Sequence, residues 1–237
     1  MPKLKVVTNG VTRERSKSAA ATKVPARLPI TPIILHQIKQ LWSPKRSDPD
    51  TVMLWAVCTT AFFGFFRLGE LTVPSATAFD PSTHLTLKDI ALDKREDPSL
   101  VQIHLKVSKT DQERKGVSIF IGKTGDAICP VAAITAYLAI RGHAHGPLFQ
   151  FKDNSPDWFI QHIRTALSSL GYDPAIYAGH SFRIGAATTV AECGIEDSTI
   201  KALGRWKSDA FQSYVKIPRA KLASLAPVLS KLPPNQQ

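Results

Sequence analysis

Acidic side chains are scarce in this chain: 19 Asp and Glu stand against 30 Lys and Arg, leaving a formal net charge of +11 and an isoelectric point near 9.7. Such a balance disfavours a cationic partner. It favours a polyanion, to which basic surfaces bind in a salt-sensitive, sequence-independent way. Charge alone does not choose among DNA, RNA and acidic membranes. Cysteine is also sparse. Cys58, Cys129 and Cys193 are scattered and make neither a CxxC pair nor a disulfide framework, so a reducing compartment, cytosol or nucleus, is expected. Long apolar runs are missing too. The longest, Val52 to Phe66, carries Thr59 and Thr60 and ends at Arg67, which is too short to span a bilayer. No apolar region follows Met1-Pro2-Lys3-Leu4-Lys5, so no secretory leader is expected. There is no internal repeat and no phosphate-cradling GxxxxGK[ST] loop.

What remains is ordinary globular material, 43% apolar and 21% charged over 237 residues, enough for one large core or two small ones. Residues 1–27, rich in Lys, Arg, Ser, Thr and Ala without apolar periodicity, read as a basic tail or linker. The folded domain is expected over 28–237. Thr31-Pro32 and Asp48-Pro49 are helix starts, an N-cap followed by proline, and the second helix should run buried through Phe66. Leu85–Leu92, Leu100–Val107 and Val117–Ile121 predict a small antiparallel three-stranded sheet. The polar turn between the last two strands, 108–116, carries Lys109. Helical periodicity returns over Val131–Ile140, Pro156–Leu170, Ser181–Cys193, Asp197–Leu203, Ser208–Val215 and Arg219–Leu232, with Gly194 placed to end one of these. The expected fold class is α+β, mainly helical around one small sheet.

Several residues have the chemistry to handle a phosphate diester, and each has a structural explanation as well. Arg67 ends the most apolar segment, where an unpaired guanidinium would be costly. Glu70, three residues on, either neutralises it or orients it towards an anion. His180 and Arg183 stand three apart at the start of a helix, where free N–H groups and the dipole favour an anion. A guanidinium can grip two phosphate oxygens together, and a second one holds a pentavalent transition state from the other side. Only four tyrosines exist, and Tyr137, Tyr172 and Tyr177 lack a basic setting. Tyr214 has one, and a phenol attacks phosphorus only where a base or dense positive charge favours the phenolate. Trp206 offers an indole N–H to a phosphate oxygen or simply fills core. His143-Ala144-His145 lacks further ligands, and Asp48 and Asp50 sit in a helix-start context, so neither metal nor other cofactor is expected.

Taken in order, Arg67, Lys109, His180-x-x-Arg183, Trp206 and Tyr214 resemble the signature of tyrosine recombinases of the phage-integrase type. The resemblance covers about residues 28–220. Gly179-His180-Ser181-Phe182-Arg183 and Leu203-Gly204-Arg205-Trp206-x-Ser-Asp-Ala-Phe look most like recombinases of eukaryotic DIRS-like and Crypton mobile elements. The resemblance implies a DNA strand transferase in which Tyr214 forms a 3′-phosphotyrosyl bond and releases a 5′-hydroxyl. Arg67 and Arg183 would hold the non-bridging oxygens, with Glu70 supporting Arg67. Lys109 would protonate the leaving oxygen, His180 would assist at the tyrosine and Trp206 would support the phosphate. It further implies double-stranded DNA as partner, self-association on DNA, no membrane, and a nuclear location, or cytoplasmic for a prokaryotic source. Three departures stand out. Trp206 and Tyr214 are eight apart, one fewer than in many bacterial members. Lys106 or Lys115 could take the role given to Lys109. And 27 tail residues are too few for the family's DNA-clamping domain, which leaves a catalytically silent DNA-binding module as the alternative.

Overall fold

The computed structural model describes residues 27–45, 47–108, 115–151 and 156–216. The expected tail 1–27, apart from Arg27, and the expected helix Arg219–Leu232 lie outside them, as does Lys109. Both predicted helix starts form. Thr31 accepts from the Ile34 N–H at 3.3 Å to open α1, Pro32–Trp42, and Asp48 accepts from the Thr51 N–H at 2.9 Å to open α2, Pro49–Phe63. Helix α2 is buried on nearly every side, from Thr51 and Met53 to Phe62, which makes it the central pillar rather than an amphipathic surface helix.

Helix α2 stops three residues earlier than its apolar run predicts. Gly64 ends it, and Phe65 takes φ 52°, turning the chain sharply while Phe66 folds its ring back over Gly64. The break leaves the carbonyls of Gly64 and Phe65 pointing out of the negative end of a buried helix. Arg67 therefore opens the short helix α3, Leu68–Leu71, rather than closing α2.

The sheet is antiparallel in the order β1, Ile90–Leu92; β2, Leu100–Leu105; β3, Val117–Gly122. Pairs such as Ile90 with Ile103 and Val101 with Ile121 set the register, so Val101, Ile103, Leu105 and Ile121 face the core while Gln102, His104 and Phe120 face outward. The first strand is shorter than predicted. Thr86 and Asp89 bond to each other across a 3-10 turn, Leu87–Asp89, which takes the first half of the expected strand.

Helices α4, Pro130–Arg141, α5, Pro156–Ser169, α6, His180–Glu192, and α7, Asp197–Gly204, complete the layer around α2, with α4 and α6 packed directly against it. Gly194, at φ 77°, ends α6 as expected. The segment expected to be helical over Ser208–Val215 is a 3-10 turn, Asp209–Ser213, with Tyr214 just beyond it. Among the described residues no helix is long and apolar enough to cross a membrane.

Glycine decides how closely α6 approaches the chain before α1. A Cβ on Gly185 would lie 1.8 Å from the Ile30 carbonyl oxygen, a backbone atom with no rotamer to retreat into. Alanine gains about 1 kcal/mol of helix propensity there, while overpacking costs about 3 kcal/mol. Gly185→Ala should therefore lower the melting temperature by about 5 °C. An unchanged or raised melting temperature in calorimetry would show that the contact gives way freely.

Candidate functional site

Two orphan carbonyls at the end of α2 collect two arginines from far downstream in the chain. Arg183 projects from the first turn of α6 and donates from NH1 to the Phe65 carbonyl at 2.6 Å and from NH2 to the Gly204 carbonyl. Arg205 follows α7 in a left-handed conformation, φ 56°, ψ 40°. It donates from NH1 to the Gly64 carbonyl at 3.0 Å and from NH2 to the Phe65 carbonyl at 3.1 Å. The same NH2 reaches the Glu70 carboxylate at 2.9 Å. Glu70 binds Arg67 twice, accepting from its guanidinium at 2.7 Å and from its backbone N–H at 2.9 Å. Both explanations offered for Glu70 are thus compatible with the geometry, since the pair neutralises and orients together.

Three guanidiniums gather near one carboxylate, which bonds to Arg67 and Arg205 but not to Arg183, so the cluster keeps a surplus of positive charge. Arg183 is wholly buried, and its Nε has no hydrogen-bond partner. Burial, then the charges of Arg67 and Arg205, push its pKa down to about 9. Burial likewise lowers the pKa of Arg205, with Glu70 pulling the other way. A guanidinium held at such cost is a strong donor to an anion that would cancel the repulsion.

Aromatic rings roof the cluster. The Arg183 guanidinium lies 4.3 Å from the Trp206 ring centre and 5.8 Å from that of Tyr214. Those two rings stand 5.2 Å apart, and the His180 ring is 6.4 Å from Tyr214. Gly204 seats Trp206, for a Cβ there would overlap the indole. Tyr214 is tied back to α6, its carbonyl accepting from the Thr188 hydroxyl at 3.3 Å, while Phe211 anchors the turn in the core. Gly179 lies against Leu68, which brings the His180 end of α6 up to the helix that Arg67 opens.

Arg67, His180, Arg183, Trp206 and Tyr214, distant in sequence, therefore converge on one place with Glu70 behind them. Lys109 lies outside the described residues. Of its two named substitutes, Lys106 is committed to the Asp89 carboxylate and to the carbonyls of Pro81 and His84, and Lys115 is exposed at the base of β3. His143 and His145 sit exposed on the loop after α4, away from this cluster, lining a cleft with Lys106 and Phe79. Arg205 is the residue that sequence reasoning passed over. Its only signal was an arginine directly after a helix-ending Gly204, where glycine or asparagine usually continues the chain.

No protein-family model matches the chain. Over 169 residues, 65% of the chain, it is 30% identical to an integrase/recombinase xerD homolog of Selenomonas ruminantium. The matched stretch makes up 44% of that protein, so the chain spans less than half the length of the curated relative it matches. Among solved structures, XerA recombinase superposes with a TM-score of 0.61 at 16% identity, covering 91% of this chain and 67% of that one. XerH site-specific recombinase bound to difH substrate gives 0.58 at 13% identity over 91% and 57%. A lambda integrase dimer bound to a COC′ core site gives 0.51 at 19% over 85% and 51%. The chain has the fold of a tyrosine recombinase catalytic domain. The α+β architecture expected from the sequence is the observed one. The similarity to DIRS-like and Crypton elements is not addressed by these relatives.

Proposed function

We propose that the chain is the catalytic domain of a site-specific recombinase that cleaves and rejoins double-stranded DNA through Tyr214. The single observation that supports this most is the gathering of Arg67, Arg183, His180, Trp206 and Tyr214 around one positively charged centre. In this scheme the Tyr214 oxygen attacks the scissile phosphorus as its proton passes towards His180. The bond from phosphorus to the 5′-oxygen breaks, and Lys109, which falls between β2 and β3 in sequence, protonates that oxygen. The product is a 3′-phosphotyrosine that conserves the energy of the diester, so rejoining requires only attack by a 5′-hydroxyl. Arg67 and Arg183 counter the charge that builds on the non-bridging oxygens. The wording of the two motifs supports the DIRS-like and Crypton kind, for which a nuclear location and self-association on paired DNA sites follow as part of the proposal.

A catalytically silent DNA-binding module is the second reading, and one observation favours it. Arg183 is wholly buried with the Trp206 and Tyr214 rings beside its guanidinium, so a phosphate reaches it only after its surroundings move aside. A duplex nicked near its cleavage point, which loses the 5′-hydroxyl strand by diffusion, separates the two readings. An active domain accumulates a protein–DNA adduct that survives denaturation. Salt-dependent binding with no adduct across a panel of mobile-element ends would establish the silent module.

A further inference from the structure

We infer that Arg205 is a positioning residue that aims Arg67 and holds it in a fixed frame with Arg183, an inference that rests on the recombinase reading of the site. Arg205 touches both arms of the cluster. Its NH2 binds the Glu70 oxygen that also receives the Arg67 backbone N–H, while the other Glu70 oxygen holds the Arg67 guanidinium. The same NH2 shares the Phe65 carbonyl with Arg183. The Arg205 guanidinium lies 5.1 Å from the Phe66 ring centre, and both its terminal nitrogens are bonded to the end of α2 or to Glu70, so it acts through these neighbours.

Backbone geometry supports the same role. Arg205 occupies a left-handed position at a helix end where glycine carries no strain. The side chain compensates through three bonds to two separate structures, the end of α2 and the Glu70 carboxylate. Lysine cannot replace it, since one ammonium lacks the planar fork that spans carbonyls and carboxylate together.

Sulfate serves as an activity-free probe of the aimed pair, read as the rise in melting temperature at constant ionic strength in wild type, Arg205→Lys, Arg67→Gln and the double variant. Arg205→Lys should raise the sulfate concentration for half-effect by about tenfold. Adding Arg67→Gln to it should raise that concentration by less than about twofold, because Arg67 is already misdirected. Glu70→Gln, which keeps the side chain's shape, should reproduce the Arg205→Lys result and stands in if that variant does not fold. With nicked duplex at saturation, Arg205→Lys should slow adduct formation by about 10- to 100-fold, with the half-saturating DNA concentration unchanged. Independent, multiplying losses in the double variant would overturn the inference. So would a lowered sulfate-free melting temperature with sulfate response intact, which would make Arg205 only a cap for α2. A wild type indifferent to sulfate overturns it as well. A wild type that binds sulfate but forms no adduct counts against the recombinase reading, and the sulfate comparison then decides the role of Arg205.

Discussion

Tyr214→Phe should form no denaturation-resistant adduct with a nicked duplex, a loss of at least about 10⁴-fold, as expected when a nucleophile is removed. The substitution deletes one oxygen and leaves the ring that packs on Trp206 and faces Arg183. The ties that place residue 214 are made by its backbone, through the Phe211 carbonyl at 2.8 Å and the Thr188 hydroxyl at 3.3 Å, and phenylalanine keeps both. Melting temperature and salt-dependent DNA affinity should therefore stay close to wild type. The expected combination is complete loss of chemistry with binding intact. Adduct formation by Tyr214→Phe would transfer the nucleophile to another side chain. If wild type and variant bind DNA alike and neither forms an adduct, the silent-module reading holds.

The fold was readable because its signals are local. Thr31-Pro32 and Asp48-Pro49 announce helix starts through their own side chains, and alternation in Leu100–Leu105 announces a strand with one buried face. Gly194 ends its helix through its own φ. The misjudged boundaries all involve partners remote in sequence or competing local bonds. Apolar composition alone carried the expected end of α2 to Phe66, whereas the turn at Phe65 is held by Arg183 and Arg205, more than a hundred positions downstream. The Thr86–Asp89 exchange of hydrogen bonds outcompeted the ladder for the first half of β1. The Tyr214 segment looked helical by period, but Thr188 on α6 captures it after a single 3-10 turn by binding the Tyr214 carbonyl and the Lys216 N–H.

The site was readable as a list of residue types and not as an assembly. Arg67 and Glu70 are close in sequence, so their pairing could be foreseen. That Glu70 also binds Arg205 could not, because no periodicity links positions 70 and 205. Nor could the burial of Arg183 be foreseen. Its helix start suggested an exposed anion site, whereas Trp206 and Tyr214 lie over it. The sequence therefore pointed to the residue types but not to the closed arrangement in which they are held.

That arrangement yields the second large effect, which centres on Arg183. At neutral pH its guanidinium is charged, buried and repelled by Arg67 and Arg205, and its pKa is lowered to about 9. The lowered value means that the folded state releases this proton before the unfolded state does. The group's cost to stability is thus greatest below about pH 9 and shrinks as pH climbs from there towards the ordinary arginine value. An anion that reaches Arg183 cancels that cost, so sulfate, whose charge is constant over this range, should raise the melting temperature at pH 7. The rise should fade as pH passes about 9, although general salting-out by sulfate persists. Arg183→Gln should remove the pH-dependent part altogether and lower adduct formation by at least about 10²-fold, the usual loss for one donor aimed at transition-state charge. It should also leave the Gly204 carbonyl without its donor, at about 1–3 kcal/mol of stability. Melting curves with sulfate and with chloride at matched ionic strength, from pH 6 to about 10, provide the measurement. A sulfate effect that is the same in Arg183→Gln would mean that the anion binds elsewhere and that the covered guanidinium is structural.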